Sequence, residues 1–124
     1  MPADKPKIIK AKNLTETATY ERCSVAENYS ISEVSVASAI VKAGVTTVAH
    51  HLNGVDEIYL ITKGKGIVKI DGLPLTKVEE GDIAVIPAGV SQKITNIGTE
   101  DLVFTCICTP RFTSDCYVDE EGKK

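Results

Sequence analysis

Short stretches in which apolar and polar residues alternate recur along most of this chain, and turn residues separate them. Residues 31–42 (ISEVSVASAIVK) carry β-branched residues in near alternation, which predicts a half-buried strand. The same reasoning predicts further strands at residues 45–52, 57–62, 67–70, 83–86, 91–96 and 102–109. Strong turn signals lie between them at Asn53-Gly54, Asp71-Gly72 and Glu80-Gly81. A regular series of short strands predicts an all-β barrel or sandwich.

The two ends of the chain are less regular. Near the N-terminus we expect a short strand at residues 18–23 and then a connection that holds Asn28. After the last strand, Thr113 or Ser114 could cap one helical turn, with Asp115 in its first turn. We therefore expect a flexible arm, one domain and a disordered tail, at residues 1–13, 14–117 and 118–124.

Composition narrows the class of protein. A chain of 124 residues with 43% hydrophobic and 25% charged residues is typical of one soluble domain. The formal charge of −3 offers no electrostatic footprint for nucleic acid or an acidic membrane, so we expect neither partner. No apolar run approaches a membrane span and the first residues lack the apolar core of a signal peptide, which predicts a cytoplasmic protein. We therefore expect its cysteines to be free thiols, at Cys23, Cys106, Cys108 and Cys116.

Two spaced motifs are the most specific feature of the sequence. The first has Gly44, His50, Leu52, Glu57 and Gly64, and the second has Gly81, Pro87, Gly89, Gln92 and Asn96. This pair of spacings resembles the two motifs of the cupins, small β-barrels that usually hold a metal on three histidines and one glutamate. The resemblance extends over residues 22–117 and implies a cupin-type, jelly-roll-like antiparallel β-barrel with one internal pocket. Leu52 and Gln92 stand where the family has histidine.

The resemblance also implies a candidate site. Its inward-facing set would be His50, Glu57 and Gln92, and Tyr59 shares the face of Glu57 because side chains alternate along a strand. Leucine supplies no metal donor, and a neutral amide oxygen is a weaker ligand than imidazole. We therefore expect a divalent transition metal (zinc, iron or manganese) to bind loosely, with no cofactor as the alternative.

Each candidate residue has more than one interpretation. His50 is either a surviving ligand or general acid–base group, or an interior histidine bonded to Glu57 or Gln92. Glu57 needs a partner, a metal or a raised pKa inside an apolar barrel. Tyr59 could offer its phenol to a ligand or belong to the core. His51 is expected outside, although a bulge beside the motif would turn it inward.

The late strand and the residues after it complete the candidate pocket. Cys106 and Cys108 share one face of their strand, and we interpret both as core or pocket lining rather than as a metal site. Arg111, Phe112 and Tyr117 follow that strand and could cover one mouth of the barrel.

Three functions remain open at this point, all with a small molecule in the barrel. The first is a metal-assisted enzyme of the isomerase, lyase or dioxygenase kind that the resemblance implies. The second is a metal-free domain that senses or sequesters a metabolite. The third is a metal-free sugar isomerase or epimerase that uses His50 with Tyr59 or Glu57. We also expect a homodimer paired through residues 14–30, because unpaired strand edges favour association.

Overall fold

The structure is a computed structural model that describes residues 6–10, 17–18, 24–31 and 33–122. In these ranges the chain forms eleven strands and one short 3₁₀ turn, Ser114–Cys116. The strands are β1 (Thr17–Ala18), β2 (Ser24–Ile31), β3 (Val34–Val41), β4 (His50–Leu52), β5 (Asp56–Lys63), β6 (Lys65–Ile70), β7 (Thr76–Glu79), β8 (Ile83–Ile86), β9 (Gln92–Asn96), β10 (Leu102–Thr109) and β11 (Tyr117–Asp119).

The strands make two antiparallel sheets that share one core. The six-stranded sheet has the order β1-β2-β3-β10-β5-β8, and the five-stranded sheet has the order β11-β4-β9-β6-β7. Side chains from both sheets meet in the larger of two apolar clusters, in which Ile61, Ile94 and Leu102 are fully buried. Burial alternates along the strands, as the period of two requires. The predicted all-β, cupin-type antiparallel fold is confirmed.

Most strand positions agree with the prediction, but residues 24–31 do not. A connection holding Asn28 was expected there, and the chain instead forms β2. The register between β2 and β3 shifts between Glu27 and Tyr29, so Asn28 is an extra residue in a β-bulge. A bulge interrupts the two-residue period, and for this reason alternation does not reveal the strand.

Both ends of the chain differ from the prediction or fall outside the described residues. The strand predicted at residues 18–23 overlaps β1 only at Ala18, and residues 19–23 are not described. At the other end, the predicted helical turn is present as the 3₁₀ turn Ser114–Cys116, and Thr113 occupies the N-cap position without a side-chain capping bond. β11 follows this turn and pairs with β4. The prediction of a disordered tail at residues 118–124 is therefore wrong for Val118 and Asp119, which lie in β11. The domain limits and the arm at residues 1–13 stay predictions.

The strand pairing removes part of the reason for expecting a dimer contact through residues 14–30. β2 pairs with β3 of its own chain along its length, and β1 pairs with β2. The homodimer itself stays a prediction. The described part of the chain contains no helix with the length and apolar character needed to cross a bilayer.

Gly64 shows how tightly the hairpin between β5 and β6 is built. Its φ is +90°, a conformation that residues with a Cβ rarely adopt. A Cβ on this residue would also lie 2.7 Å from the carbonyl oxygen of Asp101. Glycine is therefore required here both by the backbone angle and by space.

Candidate functional site

A cavity of about 250 Å³ lies between the two sheets. Strand register arranges one of its walls in rows across β3, β10 and β5. The first row contains Ser35, Cys108 and Glu57. The next contains Ala37, Cys106 and Tyr59, and these two rows place the predicted residues Glu57 and Tyr59 side by side on one wall.

The five-stranded sheet supplies the opposite wall. His50 and Leu52 of β4 line the cavity together with Thr47. Gln92 of β9 is directly paired with His50 across the strands and is 1% exposed. Phe112, which is 39% exposed, lies at the border between the cavity and solvent, and its backbone N–H donates to Ser35 Oγ at 2.9 Å. The site is thus deep, and its polar groups come from both sheets.

A chain of hydrogen bonds joins the two walls through Gln92. The Tyr59 hydroxyl donates to Gln92 Oε1, and Gln92 Nε2 donates to Glu57 Oε1 at 2.8 Å. The Cys108 thiol donates to the other carboxylate oxygen, Glu57 Oε2, at 3.7 Å. All four side chains are buried. The amide therefore holds the phenol and the carboxylate in fixed positions.

Cys108 takes part in this series of hydrogen bonds as a neutral donor. Burial raises the pKa of the Cys108 thiol far above its usual range, and the nearby Glu57 carboxylate raises that pKa further. The thiol consequently keeps its proton at neutral pH and presents it to Glu57.

His50 is oriented from two sides. Its Nδ1 lies 2.8 Å from the carbonyl oxygen of Val48. Because a carbonyl can only accept, Nδ1 donates its N–H to Val48, and in the neutral form of the ring the lone pair is then on Nε2. The ring stacks on that of Tyr117, with 4.7 Å between centroids and 21° between planes. Tyr117 was expected at a mouth of the barrel, and its ring contact with His50 was not expected.

His51 lies outside the cavity, on the face opposite to His50. Its Nδ1 is 2.6 Å from Glu120 Oε2, and Ser91 Oγ donates to Glu120 Oε1 at 2.6 Å. Burial alone would raise the pKa of Glu120, but the hydrogen bonds from Ser91 and His51 outweigh burial and lower that pKa. This cluster fixes the end of β11 against β4 and β9.

The structure brings the expected metal ligands together, but in a different arrangement from a metal centre. His50 and Glu57 share the cavity, and Gln92 bonds directly to Glu57. The oxygen atoms that would bind a metal accept hydrogen bonds instead, since Gln92 Oε1 is bonded to Tyr59 and both Glu57 oxygens have donors. Within the described ranges no three His, Cys, Asp or Glu side chains form a group that could hold a metal ion. These residues fit a hydrogen-bonded network and not a metal site.

Sequence reasoning missed some parts of the site. Ser35 was not singled out, and only its pairing with Cys108 places it in the wall. Cys106 and Cys108 line the cavity, as interpreted from the alternation, but the bond from Cys108 to Glu57 has no signal in the sequence. Arg111 is exposed and is not among the residues that line the cavity.

Comparison with known proteins agrees with this architecture. Residues 38–108 match the cupin domain family, described as Cupin_2, and the match covers more than half of the chain. The chain belongs to the cupin family. An uncharacterized protein of Methanocaldococcus jannaschii is 35% identical over 81 residues, which are 65% of this cupin and 64% of the relative. The match thus spans less than two thirds of that relative's length.

Solved structures share the fold at low sequence identity. KdgF from Halomonas sp. has a TM-score of 0.78 at 13% identity, covering 86% of this cupin and 96% of that chain. Streptomyces PAC13, solved with uridine, has a TM-score of 0.79 at 8% identity, covering 94% and 91%. Another Pac13 structure, described as a unique nucleoside dehydratase, has a TM-score of 0.78 at 9% identity, covering 93% and 91%. At such identities the likeness shows the fold alone.

Proposed function

We propose that this cupin binds a small organic molecule in the cavity and converts it by proton transfer, without needing a metal. The observation that carries this proposal is the hydrogen-bonded network Tyr59–Gln92–Glu57–Cys108, of which Tyr59, Glu57 and Cys108 line the cavity. It keeps a phenol and a carboxylate adjacent, and His50 lines the same cavity. A carboxylate, a phenol and an imidazole around one ligand are the groups that general acid–base catalysis uses.

Each side chain has a distinct part in this proposal. Glu57 acts as the base, because its carboxylate is buried and its position is fixed. Tyr59 presents an O–H proton whose direction is set by the Gln92 amide. His50 offers the lone pair on Nε2 because Nδ1 is committed to Val48. Gln92 does not titrate and has both ends of its amide engaged, so it is a positioning residue.

The reaction class that best fits is isomerisation, epimerisation or elimination on a sugar-like compound. Each of these moves a proton between carbon and a base and needs no net oxidation. The structural neighbours include Pac13, which is described as a nucleoside dehydratase and was also solved with uridine. These names suggest hydroxylated compounds as a first panel.

Two rival functions stay open to test. One is a domain that binds the same ligand without changing it. The other is the metal-assisted enzyme, with zinc, iron or manganese bound weakly by His50, Glu57 and Gln92. A metal would have to displace the bonds of Glu57 to Gln92 and Cys108, so its binding should compete with the network.

Location and assembly are further proposals. Within the described ranges Cys108 and Cys116 are free thiols, which supports a reducing compartment such as the cytoplasm. Three exposed apolar side chains on the outer face of β5 and β8 support a homodimer; they are Ile58, Ile83 and Val85. Light scattering of the wild type and of Val85→Lys would test the second proposal.

The test of function is proton NMR in D₂O with a panel of aldoses, ketoses and nucleosides. An acid–base enzyme should incorporate deuterium at the reacting carbon or form product. His50→Gln and His51→Gln are a matched pair, since the two histidines are adjacent but face opposite sides of the strand. We expect about 10²- to 10⁴-fold loss of rate for His50→Gln and an unchanged rate for His51→Gln.

The same assay separates the rivals. Binding of a panel member without deuterium incorporation or product would favour the binding domain. A large stimulation by added zinc or manganese, reversed by a chelator, would favour the metal-assisted enzyme. Equal losses in both histidine variants would indicate a structural effect and contradict the assigned role of His50.

A further inference from the structure

The cavity has a polar end and an apolar end, and strand register sets this gradient. The row of Ser35, Cys108 and Glu57 is polar, and the row of Ala39, Phe104 and Ile61, which lies four strand positions further along, is apolar. Ala39 and Phe104 of this apolar row line the cavity. The row between them, with Cys106 and Tyr59, is mixed in character. A ligand that fills the cavity must therefore be amphipathic along its length.

The Glu57 carboxylate sets the charge at the polar end when the ring of His50, which lines the same cavity, is in its neutral form. Among the described residues that line the cavity, Glu57 is the one carboxylate, and there is neither lysine nor arginine. The Cys108 thiol donates its proton to Glu57, in keeping with a pKa that burial raises, and Tyr59 donates its proton to Gln92. An anionic group placed here would face the Glu57 carboxylate without a counter-charge from these residues. In a buried site such repulsion is weakly screened.

The volume limits the size of the ligand. At about 250 Å³ the cavity lies below the range of roughly 300–1,000 Å³ that drug-sized ligands occupy. Room remains for a compound of metabolite or fragment size. A phosphate group would use much of this volume at the end where it is least favoured.

We infer that the site takes an uncharged or cationic small molecule, with a hydrogen-bond donor directed at Glu57 and an apolar or planar part against Phe104. Phosphorylated and carboxylated metabolites should bind more weakly, because they would face the Glu57 carboxylate. This inference rests on the proposed function in taking the cavity as the ligand site, and it adds the ligand's charge and polarity. It does not depend on any reaction taking place.

Three compounds of nearly equal shape test the inference: benzamide is neutral, benzamidine is a cation and benzoate is an anion. Each has a planar apolar ring and one polar end, and benzamide and benzamidine carry N–H donors. We would titrate each into ¹⁵N-labelled protein and follow the backbone amides of Ala37, Phe104 and Cys108. We expect benzamide and benzamidine to bind at least tenfold more tightly than benzoate. Benzoate binding as tightly as benzamide, or no shift with any of the three, would overturn the inference.

Charge removal gives a second, independent readout. Glu57→Gln should strengthen benzoate binding and weaken benzamidine binding, each by at least tenfold. Asp56→Asn is the matched control, because it removes the same charge from the adjacent, exposed position and should leave the order unchanged. If Glu57→Gln does not fold, the order of affinities of the wild type for the three compounds tests the inference by itself. An order unchanged in folded Glu57→Gln overturns the assignment of Glu57.

Failure of the inference and failure of the proposed function give different results. If the wild type prefers benzoate but exchanges deuterium into a sugar or nucleoside, the inferred ligand class is wrong and the proposed acid–base function still stands. The expected order of binding without any deuterium exchange or product would remove the acid–base chemistry and leave the ligand class standing.

Discussion

Replacing Gln92 by leucine would measure how much the polar connection between the two sheets contributes to stability. Gln92 is fully buried and joins Tyr59 and Glu57 of the six-stranded sheet to β9 of the five-stranded sheet. Leucine has similar volume and no polar atoms. Gln92→Leu therefore removes both hydrogen bonds and creates little new space.

The expected loss follows from the two bonds. The neutral bond from Tyr59 contributes about 1 kcal/mol, and the bond to the Glu57 carboxylate contributes about 1.5–3 kcal/mol. Burying leucine in place of an amide returns part of this sum, because the amide no longer has to leave water. We expect a net loss of about 2–3 kcal/mol in the free energy of unfolding. A domain of this size has about 5–15 kcal/mol in total, so the melting temperature should fall by roughly 10 °C.

A double-mutant cycle with Tyr59→Phe separates the two bonds. Tyr59→Phe alone should cost about 1 kcal/mol, because it removes only the neutral bond. The double variant should cost less than the sum of the single losses, with a coupling of about 0.5–1 kcal/mol, since each change removes the same bond. If the losses add without coupling, the Tyr59–Gln92 bond does not contribute to stability.

The assay is urea unfolding followed by far-UV circular dichroism, because the chain has no tryptophan for a fluorescence signal. The slope of the transition should be the same in all variants, which keeps the comparison of midpoints valid. A loss below about 0.5 kcal/mol for Gln92→Leu would refute the reasoning, because two buried hydrogen bonds cannot both be lost at so small a cost.

Three further predictions concern other parts of the molecule. Gly64→Ala should cost more than Gly72→Ala in urea unfolding, since both have positive φ but only Gly64 would place a Cβ 2.7 Å from backbone; equal losses would show that the hairpin relaxes. The double variant Leu52→His with Gln92→His should bind zinc or manganese far more tightly than the wild type in calorimetry, and metal should raise its melting temperature. Unchanged affinity would mean that these two positions do not converge with His50 and Glu57. Glu120→Gln should make the free energy of unfolding depend less on pH under acidic conditions. The lowered pKa of Glu120 contributes stability that is present above the unfolded pKa of about 4.5 and is lost as the pH falls through the folded pKa. Equal pH dependence in the wild type and the variant would contradict this.

The inward-facing part of the site could be predicted from the sequence because it depends on local periodicity. A period of two places Glu57 and Tyr59 on one face and sets His50 apart from His51, and these four residues lie accordingly. The turns at Asn53-Gly54 and at Gly81 also follow from local backbone preferences. Such features need no knowledge of which strands pair.

The remaining features depend on contacts between distant parts of the chain. Ser35 and Cys108 meet Glu57 only because β10 pairs with both β3 and β5, and periodicity does not state which strands are neighbours. The hydrogen bonds of Gln92 depend on the distance between the two sheets, which the sequence does not give. The sequence alone therefore could not decide whether Gln92 is a weak metal ligand or part of a hydrogen-bonded network. The bulge at Asn28 concealed β2 by breaking the very pattern used to find strands.

The pairing of β11 with β4 makes the surroundings of His50 depend on a short strand that can open by itself. The imidazole has its stacked ring from Tyr117, and the backbone of Ala49 is bonded to Glu120 and Glu121. Short segments held by few contacts open at a lower free energy than the core of a domain. A molecule in which residues 117–121 have left β4 would keep most of the cavity wall but would lose the ring that orients His50. We therefore expect the histidine side of the cavity to be ready for a ligand only in those molecules whose β11 is in place.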